Sequence, residues 1–393
     1  MRSITLGLLA VVCLVQSPAE GEDKTQVKTA RTPWPRHTVD DRFQGADGVR
    51  LGDFDGDGHL DVVTGWEESG VVRLYLNPGP DLAKQPWPAV TVAAAASPED
   101  AVPVDVDGDG NLDIVSCHEG KRRQVLVHFS NVNDPANPDD WLSQDSWTTE
   151  SFPSLDGVMW MYALPFEDID GRRAIIVGGK SKQASLSLLL SPTTKDSRDL
   201  GRWEVIRIRD VAWTMSLHAI DMDHDGDQDL VFTDRKGSKS MAGWLEQPED
   251  PRQTWREHPI AGQGREVMFL SATRDRWLIP TRRTDSLDCR REGNRWIVST
   301  IKHPPQIEFG KAIGVLPSGR LLLSSNTKAS RYPDRPGLWL RDLDGQWSVV
   351  DPTRGVKFDR FEMIDLDADG DLDAMTCEER QNFGVVWYEN PGL

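Results

Sequence analysis

Four nine-residue segments carry carboxylates at the same offsets: DFDGDGHLD, DVDGDGNLD, DMDHDGDQD and DLDADGDLD. Positions 1, 3, 5 and 9 are aspartate and position 6 is glycine. The acids are Asp53, Asp55, Asp57 and Asp61; Asp105, Asp107, Asp109 and Asp113; Asp221, Asp223, Asp225 and Asp229; and Asp365, Asp367, Asp369 and Asp373. In a tight loop of this kind three carboxylates converge, the glycine permits a left-handed turn, and position 7 (His59, Asn111, Asp227, Asp371) offers its backbone carbonyl. Such all-oxygen donors suit calcium rather than zinc or copper. The same residues could make metal-free Asp- and Gly-rich turns, but sixteen carboxylates crowded into four short loops repel one another without a cation. Calcium at four sites is therefore expected, and it would change the formal net charge from −18 to −10. An EF-hand is opposed by position 12, where Thr64, Ser116, Phe232 and Thr376 stand instead of a bidentate glutamate, and by β-branched rather than helical flanks.

Strands must position these loops, because each is followed by a run such as LDVVTGW, LDIVSCH or LDLVFTD. The pattern belongs to a longer repeat. Tryptophan opens a short extended segment seven times, at Trp34, Trp87, Trp147, Trp203, Trp255, Trp296 and Trp347, with spacings of 53, 60, 56, 52, 41 and 51 residues. Each unit offers about four strands between Gly, Pro, Asn and Asp turns, which is the period of a propeller blade and too long for a β-solenoid. The expected fold is all-β: a seven-bladed β-propeller of four-stranded blades over residues 34–393. The Trp34 segment lacks a preceding partner and the final VVWYENPG lacks a following one, so their pairing is expected to close the ring and remove two open edges.

The D-x-D-x-D-G-x-x-D loops between strands, the W-x-x-x-x-[VI] segment and the closing WYENPG resemble the FG-GAP and VCBS-like repeat propellers, a group that includes integrin α-subunit heads. The resemblance implies seven blades with calcium between the first two strands of a blade. Three units depart from it: unit three has EDIDGRRA (Asp168, Asp170), unit five SATRDRW and unit six VLPSGR, so sites there are expected to be empty or weak. Such propellers serve adhesion, ligand recognition and, in some polysaccharide lyases, catalysis; the resemblance leaves function open.

In an up-and-down blade the turns after the second strand and before the first lie on the rim opposite the acidic loops. That rim is expected to gather Trp66, Glu67, Glu68, His118, Glu119, Lys180, Asp234, Arg235, Lys236, Arg282, Arg283, Asn326, Glu378 and Glu379. It should also gather residues ahead of each inner strand: Asp47, Asp100, Trp160, Tyr162, Trp213, Glu266, Lys311, Asp359 and Arg360. Acids, bases and aromatics facing one axis suit a glycan or protein ligand. Polar turn residues also occur on an ordinary solvated surface. An acid or histidine beside a cation could instead abstract a proton, as in a polysaccharide lyase or hydratase.

Composition narrows the partners. A formal net charge of −18 argues against nucleic acid and anionic membrane surfaces, which are bound through excess Lys and Arg. Arg2, the apolar run Ile4 to Val15 and small Ser17 and Ala19 read as a secretory signal peptide over 1–22, followed by a short leader, 23–33. That run is too short for a spanning helix, which needs roughly twenty residues. Cys13 within it is a weak lipoprotein signal. Cys117, Cys289 and Cys377 form no CxxC pair, so buried thiols are expected rather than a disulfide framework or zinc site. The chain reads as an exported, periplasmic or extracellular, calcium-binding recognition module, with a carbohydrate-active enzyme as the alternative.

Overall fold

The computed structural model describes residues 33–192, 196–327, 331 and 333–392, so the segment read as a signal peptide lies outside the described residues. Twenty-eight strands form seven four-stranded antiparallel sheets, and each sheet is one blade. Blade I runs outward from the axis as Ala46–Gly52, Asp61–Trp66, Val71–Tyr75 and Ala89–Ala94. The inner strands of blades II to VII are Pro98–Val104, Met159–Ile169, Thr214–Ile220, Ser271–Ala272, Gly310–Val315 and Phe358–Ile364. The tryptophan segments form or enter the outermost strands, so each sequence repeat is offset from its blade by one strand. Closure is as expected: Arg36–Asp40 pairs antiparallel with Gly384–Tyr388 and completes blade VII from both ends of the chain.

The second strands explain why the LDVV-type runs are nearly all apolar. Asp61–Trp66, Asp113–His118, Asp229–Asp234 and Asp373–Glu378 are buried at every residue, sandwiched between neighbouring blades. Seven apolar clusters fill the seven interfaces; that between blades I and II, for instance, joins Phe54, Val63 and Leu74 to Ile114, Trp141 and Trp147. The repeated tryptophans anchor the outer strands. The indole N–H groups of Trp87, Trp147, Trp203 and Trp255 donate to the carbonyls of Ala83, Trp141, Ser197 and Pro251 at 2.7–3.1 Å, which satisfies the polar atom of a buried ring.

One irregularity recurs. The inner strands of blades I, II, III, IV, VI and VII shift register near the rim opposite the acidic loops, as between Asp47 and Arg50 or Pro98 and Asp100. A bulge re-aims the side chains beyond it. Ring closure depends on Gly384, whose φ of +67° is left-handed and whose missing Cβ would lie 2.1 Å from the Asp40 carbonyl oxygen.

Candidate functional site

The turns opposite the acidic loops enclose an axial funnel of about 310 Å³. Blades I and II supply an acidic wall of Asp47, Glu67, Glu99 and Glu119. Lys180, Arg235, Arg282 and Lys311, from blades III to VI, face it with Trp213 and Phe309, while Tyr162 and Met215 form part of the floor. Asn326 and Lys357 complete the lining between blades VI and VII. The rim expectation thus converges for Asp47, Glu67, Glu119, Tyr162, Lys180, Trp213, Arg235, Arg282, Lys311 and Asn326.

Most of these charges are paired. The Lys180 ammonium meets Glu119 and lies 3.7 Å from Glu99. Lys311 lies 2.6 Å from Asp359, and Lys357 lies between Asp359 and Glu379. Glu266 accepts from both Arg235, at 3.0 Å, and Arg282, at 3.3 Å. Two acidic triads share Asp47: one with Asp359 and Glu379, one with Glu67 and Glu99. Lys357 and Lys180 already serve these triads as counter-cations.

Burial divides the carboxyls. It raises Asp47 well above the usual carboxylate range, with the Asp359 charge adding to the effect. It also pushes Glu379 up to about 8 against the pull of Lys357. Burial opposes ionisation of Asp359 too, but Lys311 and Lys357 outweigh it and hold that carboxyl at about 2. Tyr162 is raised well above the usual phenol range by burial and the surrounding acids, which leaves it a proton donor at neutral pH.

Other rim candidates stay out of the lining. Trp66 is fully buried and donates its indole N–H to the Tyr75 hydroxyl at 2.9 Å. His118 is buried against Ser116 and the Ala96 carbonyl. Asp234 accepts from Arg209 and from the backbone N–H groups of Ala212 and Trp213, and buried Glu378 accepts from those of Lys357, Arg380 and Gln381. Trp160 belongs to the core between blades II and III. Glu68, Lys236 and Arg283 are exposed. Asp100 and Arg360 lie below the funnel, where Asp100 is held bidentately by Arg50 at 2.8 Å. Sequence reasoning missed Glu99, Lys357 and Phe309. Their one signal is proximity, each lying one or two residues from Asp100, Asp359 or Lys311.

On the opposite rim, the position-6 glycines of the four loops, Gly58, Gly110, Gly226 and Gly370, have φ of +89°, +94°, +101° and +95°. Each position-9 aspartate clamps its loop: Asp61, Asp113, Asp229 and Asp373 accept the position-2 backbone N–H at 2.8–2.9 Å. Their second oxygens accept N–H from Asn77, Ser130, Gln247 and Asn390, at or just beyond the end of the third strand. Carboxylate oxygens gather within 4.8 Å of one another in the sets Asp53/Asp55/Asp57, Asp105/Asp107/Asp113 and Asp221/Asp223/Asp225. Buried oxygens of Asp53, Asp227, Asp367 and Asp371 have no hydrogen-bond partner. This donor set fits a hard cation. In blade III, by contrast, Asp170 and Gly171 at φ +52° and +73° make a two-residue turn between Ile169 and Arg172, too short to encircle one.

The family of FG-GAP-like repeats matches residues 53–116, which span the first two acidic loops. The chain is a seven-bladed β-propeller that carries an FG-GAP-like repeat. No curated protein matches it by sequence. Among solved structures, the propeller is similar to YCF48 bound to D1 peptide, at 12% identity and TM-score 0.56, covering 96% of this chain and 100% of that one. It is also similar to YCF48 from Cyanidioschyzon merolae, at 9% identity and TM-score 0.55, covering 92% and 99%. BBS1N in complex with ARL6DN gives 8% identity and TM-score 0.54, covering 92% and 98%. At these identities the likeness is one of fold. No described helix of the propeller is long and apolar enough to cross a membrane.

Proposed function

We propose that this FG-GAP-like propeller is an exported recognition module that holds calcium in its four acidic loops and binds an anionic glycan in the funnel. The observation that carries the reading is the funnel's polarity. An acidic wall faces Arg235, Arg282 and Trp213, so a ligand meets hydrogen-bond acceptors on one side and donors beside an aromatic face on the other. Among the described residues Glu266 is the one ion-pair partner of both Arg235 and Arg282, which leaves that wall with excess positive charge for a uronate carboxylate. In the loops, the carboxylates at positions 1, 3 and 5 would hold calcium; the ion would supply charge neutralisation and loop rigidity. A protein ligand is the other occupant of the same surface, since a propeller of like fold is bound to a peptide.

A catalytic reading has one observation in its favour. Glu379, protonated to about pH 8, adjoins Asp359, ionised down to about 2, which is how an acid and a base are kept apart at neutral pH. Against it, both are engaged by lysines, and His118 lies outside the funnel. Titration with uronic-acid polysaccharides, followed for both binding and chain cleavage, tests the two readings together. Saturable binding without new chain ends supports recognition; cleavage lost in Glu379→Gln establishes catalysis; neither result removes both.

A further inference from the structure

The acidic loops differ in how many cations the chain itself brings to them. At the blade II loop, Arg173 places Nη2 3.1 Å from Asp105 Oδ2, and Arg198 places Nε 2.5 Å from Asp107 Oδ2. Both arginines come from blade III. Arg173 begins its second strand, directly after the shortened turn that replaces the acidic motif. Arg198 also donates to the Ser130 carbonyl and the Asn131 side chain, so it is fixed on three sides beside the loop.

The blade IV loop repeats the relationship. Arg274, in the shortened turn of blade V, donates Nε to the Asp221 carbonyl at 2.6 Å and places Nη2 3.1 Å from Asp221 Oδ2. Its Nη1 reaches His224 at 3.0 Å, where the loop backbone takes a φ of +73°. Among the described residues the blade VII loop has one ion pair, with Lys84 of blade I, 3.0 Å from Asp367. The blade I loop is followed by a blade that keeps its own acidic motif. Among the described residues no Lys or Arg forms an ion pair with Asp53, Asp55, Asp57 or Asp61; the one ion pair is with His59.

We propose that blades III and V, which lack a metal loop of their own, serve the neighbouring loop with arginines from the same rim: Arg173 just after the shortened turn of blade III, Arg198 from the connection between its third and fourth strands, and Arg274 in the shortened turn of blade V. Arg173, Arg198 and Arg274 are built-in counter-cations that clasp adjacent blades in the absence of metal and compete with calcium for the blade II and blade IV loops. Blade I, with no such cation, holds the tightest site, and blade II, where two guanidiniums sit on loop carboxylates, the weakest; at blade IV only Arg274 pairs with a carboxylate, since Arg291 donates to the Met222 carbonyl. A guanidinium within 4 Å of a carboxylate neutralises part of the charge that calcium needs, and it must be displaced or must share its oxygen when calcium enters. The inference rests on the calcium reading of the loops for its competitive half, whereas the clasp stands on the contacts alone.

The test is calcium titration of the full chain by calorimetry and native mass spectrometry, with melting in chelator as the second readout. Asp55→Asn should abolish the tightest site of the parent. Arg173→Ala/Arg198→Ala should tighten the weakest site about tenfold or more and lower the metal-free melting temperature, while calcium restores it. Arg198→Lys keeps the charge and should behave as the parent, which separates electrostatics from misfolding. If the parent binds calcium but the double variant shows parental affinities, the competition is overturned. If metal-free melting is unchanged, the clasp is overturned. A parent that takes up no calcium overturns the calcium reading of the loops and leaves the clasp to be judged by melting alone.

Discussion

The Arg235 guanidinium lies 4.5 Å from the centre of the Trp213 ring, inside the funnel and against Glu266. Lys236 and Lys180 approach the same ring at 4.4 and 4.7 Å, so Trp213 is the aromatic centre of the cationic wall. Replacing it by alanine removes a stacking surface and releases three cations from their register. Trp213→Ala, and separately Arg235→Ala/Arg282→Ala, should weaken polysaccharide binding by roughly 30-fold or more, the loss expected of a central anchor. Isothermal titration measures this. Calcium-dependent stability should not change, because these residues sit on the rim opposite the loops.

Calcium removal should destabilise the whole ring. A site at a hundredfold excess over its Kd contributes about 2.7 kcal/mol, so several sites together shift the melting temperature by on the order of 10 °C. Differential scanning calorimetry with and without chelator measures the shift. Magnesium should substitute poorly, because the loops offer more oxygen donors than its rigid octahedron accepts.

Four histidines predict acid sensitivity. Burial pushes His118 down to about 4, His128 to about 3, and His218 and His303 to about 4, from an ordinary 6.5. Ser116 Oγ lies 2.8 Å from Nε2 of both His118 and His128, so one hydroxyl serves two neutral rings. Between about pH 6.5 and 4 the unfolded chain takes up protons that these folded rings refuse, so the histidine contribution to stability falls as pH falls through that window, while the raised carboxyls of Asp47 and Glu379 contribute in the opposite sense. In urea unfolding at pH 7 and pH 4.5, His128→Gln should shift the acid dependence toward greater stability at low pH by about 2 kcal/mol relative to the parent, because it removes one ring that refuses its proton when folded.

Ring closure is testable at Gly384. A side chain there meets both a left-handed φ and the Asp40 carbonyl, so Gly384→Ala should cost about 2 kcal/mol or more and speed amide exchange in blade VII first. Gly264, at φ +73° with nothing within 4 Å of where a Cβ would lie, is the control that carries the backbone strain alone. Equal losses at the two positions would show that close packing at the seam contributes nothing.

The sequence by itself determined the parts of this protein that are local or periodic. Turn chemistry is local, so the Asp and Gly spacing announced the four loops. The seven tryptophans announced seven blades because six of them are buried anchors of outer strands, five with a bonded indole N–H, while Trp296 keeps the position half-buried. Even the unpaired strands at both ends were legible as a seam, since a ring of this period leaves no other partner for them. The funnel was legible only as a set of candidates. Which acid meets which base depends on strands that are far apart in sequence: Lys357 pairs with Glu379 within blade VII, but Lys180 of blade III answers Glu119 of blade II. Trp66, His118, Asp234 and Glu378 end second strands, and their side chains point into the blades. The bulges in six inner strands re-aim Glu99 and its counterparts, a one-residue shift with no signature in composition. Likewise, the shortened turns of blades III and V read as lost metal sites, and only the packing of one blade on the next placed their arginines in the neighbouring loops. Closing the ring decides these contacts, because side-chain direction alternates along every strand and a single residue of register selects the face each charge occupies.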